Sequence, residues 1–300
     1  MKLRLERVTL IGLPVYSRVE YRGMGMAVQA FRSNGITNLL RRGADDFKDL
    51  GDAMLPQIEA DSGPSNMRNL AQFLEDTTKV QDLASRIDPD DFVFCLGGEC
   101  TLVVGTLAAF KNKFKGKPGM LWMDAHGDFN TPETTVSGFI GGMPLALACG
   151  RGPKLTQGVE KARPLLDEEN VVHVGNRSLD PLESEAMSSS PMRLYSASTV
   201  RDQGVSKVAA EAAGYLAERC DWITCHFDVD LLDPSIMPAV NFQEPEGFTI
   251  AEAHAVIEAV KRTGKLKVLD LTAYNPLLDR DGTSIAQLLE FISETFPPQT

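Results

Sequence analysis

Positive charge is scarce in this 300-residue sequence: 30 lysines and arginines stand against 41 aspartates and glutamates, a formal net charge of −11. Phosphate-rich partners need a basic face, so the balance argues against nucleic acid and against docking on an anionic membrane. Long apolar runs are also missing. The longest, Leu102 to Phe110, is interrupted by Gly105 and Thr106 and is about half the length of a membrane span. The segment Met1-Lys2-Leu3-Arg4-Leu5-Glu6-Arg7 lacks an apolar core and a small-residue cleavage site, and is expected not to act as a signal peptide. Cysteine is sparse. Cys95, Cys100, Cys149, Cys220 and Cys225 are odd in number and unframed in spacing, which fits reduced thiols in a cytoplasmic protein better than a disulfide scaffold. No Pro-, Ser- or Gly-rich linker, repeat or low-complexity stretch divides the chain, so residues 1–300 are expected to form one domain.

What is present is an alternation of short apolar runs with longer helical patterns. Strands are expected at Val8–Gly12, Asp91–Leu96, Gly119–Met123, Val171–Gly175, Met192–Tyr195, Trp222–Phe227 and Leu266–Leu271. Helical patterns cover Arg22–Arg42, Asn69–Ile87, Thr101–Phe110, Val205–Cys220, Ile250–Arg262 and Ser284–Phe296. Glu160–Asn170 and Asp180–Ser190 read as surface connections. Continuous apolar strands separated by helices predict an α/β protein with a mainly parallel sheet covered on both faces. Ligands of such sheets bind beyond the carboxyl ends of the strands, and three strands here end in unusual chemistry.

The first cluster is Asp124-Ala125-His126-Gly127-Asp128, after Trp122-Met123. On a straight strand Asp124 and Asp128 would lie ~13 Å apart, so they converge only if the chain bends, and Gly127 makes a bend easier. The alternative is a polar turn with an N-capping aspartate. The second is Asp228-Val229-Asp230, followed by Leu232-Asp233-Pro234. Two like charges ~7 Å apart at the end of a buried strand repel. A cation would remove that cost, and a solvated turn is the other reading. The third is Gly97-Gly98-Glu99-Cys100, a tight turn into a helix start, where Cys100 is a thiolate ligand or a small buried residue. Together these groups are too rich in carboxylate for a structural zinc site and sufficient for two divalent ions of the manganese type. His226 reads as a partner behind the ligands or as an ordinary strand-end histidine.

The run Asp124-Ala125-His126-Gly127-Asp128-Phe129-Asn130-Thr131-Pro132, continuing through Thr135, Ser137 and Gly138 to Gly142-Met143-Pro144, resembles the arginase–agmatinase superfamily of ureohydrolases. Phe227-Asp228-Val229-Asp230, Gly97-Gly98, Asn275-Pro276 and Arg22-Gly23 match further family signatures, so the resemblance spans residues 22 to 276. It implies a three-layer α/β/α fold around a parallel sheet of about eight strands, two Mn2+ ions per chain, a small guanidino or amidino substrate, and a homo-oligomer, trimer or hexamer. Asp124 and Asp228 would bridge the ions. Asp128 and Cys100 would complete one site, and His126 and Asp230 the other. A hydroxide between the metals would attack the guanidinium carbon. The catalytic groups would be Asp128, which would hydrogen-bond that hydroxide, and His126. Asn130, Thr135 and Ser137 match residues that hold the amino-acid end of the substrate, and Asp180 and Glu183 match residues at its α-amino group.

Three departures from the family pattern shape the expectation. Cys100 stands where the family has a metal-binding histidine, and Glu99 where it has an aspartate. A thiolate is softer and favours zinc or iron, so that site is expected to be weak or to hold another metal. Gly141 stands in place of a proton-shuttling histidine, whose loss typically costs about 10²–10⁴-fold in rate. Ala273 replaces a guanidinium-binding glutamate, for which Glu99 or Glu244 are candidates to substitute. A cysteine at position 100 resembles a branch that includes hydroxyarginine amidinohydrolases. The expected function is a metal-dependent amidinohydrolase that splits a C–N bond of an arginine-like or N-hydroxyarginine-like compound and releases urea or a urea-like product. A catalytically degenerate ligand- or partner-binding protein and a formiminoglutamate-type hydrolase are the alternatives.

Overall fold

The structure, a computed structural model, describes residues 5–297. Eight strands form one sheet: β1 (Leu5–Leu13), β2 (Ala44–Asp52), β3 (Phe92–Gly97), β4 (Pro118–Met123), β5 (Val171–Val174), β6 (Arg193–Tyr195), β7 (Trp222–Asp228) and β8 (Leu266–Thr272). Their order is β2-β1-β3-β8-β7-β4-β5-β6, and every neighbouring pair is parallel. All residues of β3, β4, β5 and β7 are buried, the pattern of strands covered on both faces.

The two-residue side-chain period of the strands divides the interior into two cores. Phe92, Phe94, Leu96, Leu121, Met123, Ile223, Cys225 and Phe227 face one side, packed by helices Ala27–Ser33, Val205–Arg219, Ile250–Lys261 and Thr283–Thr295. Val93, Cys95, Met120, Trp122, Trp222 and Val268 face the other, under helices Leu70–Ala84 and Leu102–Lys113. This is the three-layer α/β/α arrangement. Among the described residues no helix is long and apolar enough to cross a membrane. Of the Met1–Arg7 segment, the first four residues lie outside the described residues, and Leu5 opens β1.

Three expectations are corrected. Arg22–Arg42 is three short helices, Arg22–Gly25, Ala27–Ser33 and Ile36–Gly43, the last two separated by Gly35 in the left-handed region at φ 92°. The next segment, Ala44-Asp45-Asp46-Phe47-Lys48-Asp49-Leu50-Gly51-Asp52, is the unexpected strand β2. It is an edge strand, mostly solvent-facing, and its charges suppress the apolar signal. Arg32 ties it down through Asp49 at 2.6 Å and Asp52 at 2.7 Å. The presumed surface connections are also structured. Leu165 and Leu166 are buried in the core beneath helix Leu102–Lys113, and Pro181–Ser188 is a helix.

Gly98 sits where three strand ends meet. Its N–H donates to the Leu13 carbonyl at 3.0 Å, and its own carbonyl accepts from the Ala273 N–H at 2.7 Å. A Cβ here would collide with the Val15 carbonyl oxygen. Gly214, in helix Val205–Arg219, has open space around it. Gly98→Ala is therefore expected to destabilise the protein by about 1–3 kcal/mol, and Gly214→Ala to stabilise it by about 0.5–1 kcal/mol. Urea unfolding of the two variants reads both signs.

Candidate metal centre

The carboxyl ends of β3, β7 and β4 open on the same side of the sheet because all strands run in one direction. β3 passes through Gly97-Gly98 into helix Leu102–Lys113, leaving Glu99 and Cys100 in the turn. β7 ends at Asp228 and tightens into a short 3-10 turn, Val229–Leu231, whose start is capped by the Asp228 carboxylate. β4 ends at Met123, and the following residues leave the sheet. The segment bends at Ala125 as it leaves the sheet, and Asp128 adopts the left-handed conformation, φ 50°. Gly127 is needed for space: a Cβ would crowd the Glu183 carboxyl and the Met187 sulfur, each at 2.7 Å.

The side chains converge. The Cys100 thiol donates to Asp228 Oδ2 at 2.9 Å, and the Asp230 N–H donates to Asp228 Oδ1 at 2.8 Å. Trp122 Nε1 donates to Asp124 Oδ2 at 3.1 Å, and the His126 N–H to Asp124 Oδ1 at 2.7 Å. His126 Nδ1 lies 3.1 Å from Asp230 Oδ2 and 3.4 Å from Asp124 Oδ1. Two groups could each hold a cation: Asp124, His126 and Asp230, and Cys100, Asp124, His226 and Asp228. Within each, the ligand atoms lie within 4.8 Å of one another.

The electrostatics mark these carboxylates as under strain without a counter-charge. Burial, together with the Asp124 charge, pushes the Asp128 carboxyl well above the ordinary range. Burial and the charges of Asp230 and Asp124 do the same to Asp228, and burial raises Asp230. Burial would raise Asp124 too, but hydrogen bonds and charge from His126 outweigh it and hold Asp124 below its usual value. His126 is raised in turn: the Asp230 and Asp124 charges overcome its own desolvation. Burial and the neighbouring aspartates push the Cys100 thiol up. Among the described residues, Asp128 Oδ2 is buried with no hydrogen-bond partner. A divalent cation supplies the missing charge and partner at once, so the residues fit such ions, with Cys100 deprotonating as it ligates.

A cavity of about 310 Å³ opens over this cluster, and Glu99, Asn130, Thr135, Ser137, Asp180 and Glu183 all lie on its wall. Their side chains are differently committed. Asn130 Nδ2 donates to Asp180 Oδ2 at 3.0 Å. The hydroxyls of Thr135 and Ser137 accept from the N–H groups of Gly138 and Phe139 and shape their loop. Glu183 accepts from the Phe129 N–H at 2.9 Å and the Asp180 N–H at 3.2 Å, and burial pushes its carboxyl up to about 7. Glu99 is held by both Ser17 N–H and Ser17 Oγ on one oxygen and by Thr101 Oγ1 on the other. His226 is absent from the wall and lies wholly buried in β7.

The surroundings of Gly141, Ala273 and Glu244 needed the tertiary structure. A side chain at Gly141 would run into the ring of Phe139, which packs with Tyr21 at 5.1 Å and with Phe242 at 5.7 Å. An aromatic wall thus fills the place expected of a histidine. Ala273 adopts the left-handed conformation, φ 69°. Glu244 comes within 3.7 Å of His126 Nε2. Its loop is brought there by Arg177, whose Nη2 donates to the carbonyls of Asp230 and Glu244 at 2.9 Å each. An arginine three residues past the end of β5 was the available signal. It was uninformative because its partners are 53 and 67 residues away.

A family model described as the Arginase family matches residues 6–296. The arginase of Bacillus caldovelox is 33% identical over 296 residues, covering 97% of this chain and 98% of that protein. Its solved structure superposes with a TM-score of 0.91 over 98% of this chain and 99% of its own, at 30% identity. The structure of Entamoeba histolytica arginase in complex with L-ornithine gives 0.88 at 26% identity, over 98% of this chain and 100% of its own.

The strain on Asp128 makes a signed prediction. Its raised value means that the folded chain holds this proton more tightly than the unfolded one, so its contribution falls as pH rises above the ordinary carboxylate value of 3.8. Metal-free Asp128→Asn is therefore expected to be about 1–3 kcal/mol more stable than wild type at pH 7, the difference vanishing toward pH 3.8. Added divalent cation at a hundred times its Kd should stabilise wild type by about 2.7 kcal/mol and the variant by less. Calorimetry with and without metal checks both arms.

Proposed function

Starting from a chain that belongs to the arginase family and is a hydrolase of C–N bonds, we propose that its substrate is a small guanidino compound with an amino-acid head group, arginine-like or N-hydroxyarginine-like. Urea or a urea-like product would leave. The observation that carries this reading is the convergence of Cys100, Asp124, His126, Asp128, Asp228 and Asp230 under one cavity, with the Asp128 Oδ2 unpartnered. These six residues would hold two divalent cations, Mn2+ being the expected metal, with the Cys100 position open to a softer ion. Bound there, such ions supply Lewis-acid charge and a hydroxide near neutral pH.

The chain's own residues do the rest. Asp128 Oδ2 is free to accept the proton of the attacking nucleophile. Trp122 and the His126 N–H fix the Asp124 carboxylate from two directions. Asn130, Thr135 and Ser137 offer amide and hydroxyl groups to a substrate carboxylate. Asp180 offers charge to an α-ammonium, and Glu183 steadies the Asp180 backbone from below. Of the two acids considered for the guanidinium, Glu99 has both oxygens engaged. Glu244 is half-exposed on the cavity wall beside His126, and is the better candidate. A side chain at Gly141 would meet the Phe139 ring, so the proton that the departing amine needs would come from another group of the cavity or from solvent.

By the same family likeness, residues 1–300 are taken as one domain, cytoplasmic and assembled as a homotrimer or homohexamer, a state that sedimentation velocity reads directly.

A panel of guanidino compounds, including hydroxylated arginines, assayed on metal-loaded protein should yield urea or hydroxyurea from at least one member. Asp128→Asn should lower kcat by about 10²–10⁴-fold. Glu244→Gln should raise KM by about tenfold to a hundredfold, the worth of a charge-assisted hydrogen bond. An unchanged KM would remove Glu244 from the guanidinium site. Turnover confined to a formimino compound added to the panel, with formamide as the product, would favour the formiminoglutamate-type reading. Tight binding without turnover across the panel at full metal loading would favour a binding protein.

A further inference from the structure

We infer that His226 is itself a metal ligand, completing with Cys100, Asp124 and Asp228 one of the two cation positions. The inference rests on the metal-dependent reading above and adds a donor that the motif comparison leaves behind the ligands.

The register places it. Trp122, His226 and Asp270 are neighbours across β4, β7 and β8. Each lies two residues before a residue at the cluster: Asp124, Asp228 and Thr272. Residues two apart on a strand share a face, so His226 stands directly beneath the Asp228 carboxylate. One of its ring nitrogens is committed: Nδ1 is hydrogen-bonded to Asp270 Oδ1. The ring is clamped by stacking on Trp122, with centroids 3.8 Å apart. Among the described residues, the other nitrogen, Nε2, is buried with no partner. The imidazole nonetheless offers an atom within 4.8 Å of the Cys100 sulfur and of carboxylate oxygens of Asp124 and Asp228.

A histidine held through one nitrogen by a carboxylate, with a ring atom within 4.8 Å of a thiol and two carboxylates, has the components of the carboxylate–histidine–metal arrangement. A histidine kept only for packing has no need of an unpartnered buried nitrogen in a ring that reaches two carboxylates and a thiol. The donor set is one sulfur, one imidazole nitrogen and two carboxylates. It is compact and soft enough for zinc, iron(II) or cobalt(II), in contrast to the Asp124, His126 and Asp230 group, which has no sulfur. The chain would then carry two unlike positions. At the softer one, an imidazole from β7 would stand in for the one that Cys100 cannot provide from the β3 turn.

The test uses the full chain, stripped with chelator and titrated with cobalt(II). Wild type is expected to bind two ions, one of them giving a thiolate-to-cobalt charge-transfer band in the near ultraviolet. His226→Gln and His226→Ala should lose that band and one ion, or bind it at least about tenfold more weakly, while keeping the His126 position. Asp270→Asn should weaken the same ion by about ten- to a hundredfold. Cobalt-edge X-ray absorption of the wild type needs no variant, and should resolve one sulfur and two imidazoles per pair of ions. A single imidazole, or variants that keep two ions with unchanged affinity and band, would overturn the inference and leave the hydrolase reading standing. A wild-type chain that binds no cation overturns both.

Discussion

Four buried aspartates, Asp124, Asp128, Asp228 and Asp230, share one end of a covered sheet, and the repulsion among them is the constraint to which the rest of the site responds. A folded chain does not hold so much like charge out of water without compensation. His126 supplies part of it, and so do the donors aimed at the carboxylates from Trp122 and from the backbone at Ala125, His126 and Asp230. The remainder is open to cations. Asp128 shows this most plainly, since it is driven above its ordinary range and left with an oxygen that nothing satisfies.

The parallel sheet makes the cluster possible. Its strands deliver their carboxyl ends to one edge, and complete burial of β3, β4 and β7 fixes those ends to within a side chain's reach. Backbone conformation then does local work. The chain bends at Ala125 as it leaves β4, Asp128 adopts a left-handed conformation, and Gly98 lets the ends of β1, β3 and β8 close against one another. The cavity above is shaped by loops from further away, tied in by Arg177 and by the Glu183 capping box at Asp180.

The three departures from the family pattern have structural counterparts. Phe139 fills the space of the side chain that Gly141 lacks, turning a polar position into part of an aromatic wall. Ala273 removes a charge, and Glu244 reaches the cavity from another loop. Cys100 brings a sulfur to the cluster, and a ring atom of His226, whose Nδ1 is held by Asp270, lies within 4.8 Å of it.

The fold class, seven of the eight strands and all six residues of the anionic cluster were legible in the sequence. Apolar runs, their alternation with helical periods, and the clustering of Asp and His at strand ends are local signals, each carried within about ten residues. The edge strand β2 was not legible, because an exposed acidic strand has no apolar run. Gly127 reads as easing the bend after β4, whereas the bend falls at Ala125 and Asp128 takes the left-handed conformation. The placement of Glu244 beside His126, and the parts played by Phe139, Arg177 and Asp270, needed tertiary structure. Arg177 meets Glu244 across 67 residues and His226 meets Asp270 across 44, and no local pattern carries a contact between distant segments. The sequence by itself determined which chemical groups stand at the strand ends. Strand order and register, which bring Trp122, His226 and Asp270 side by side, decided which of them can act together.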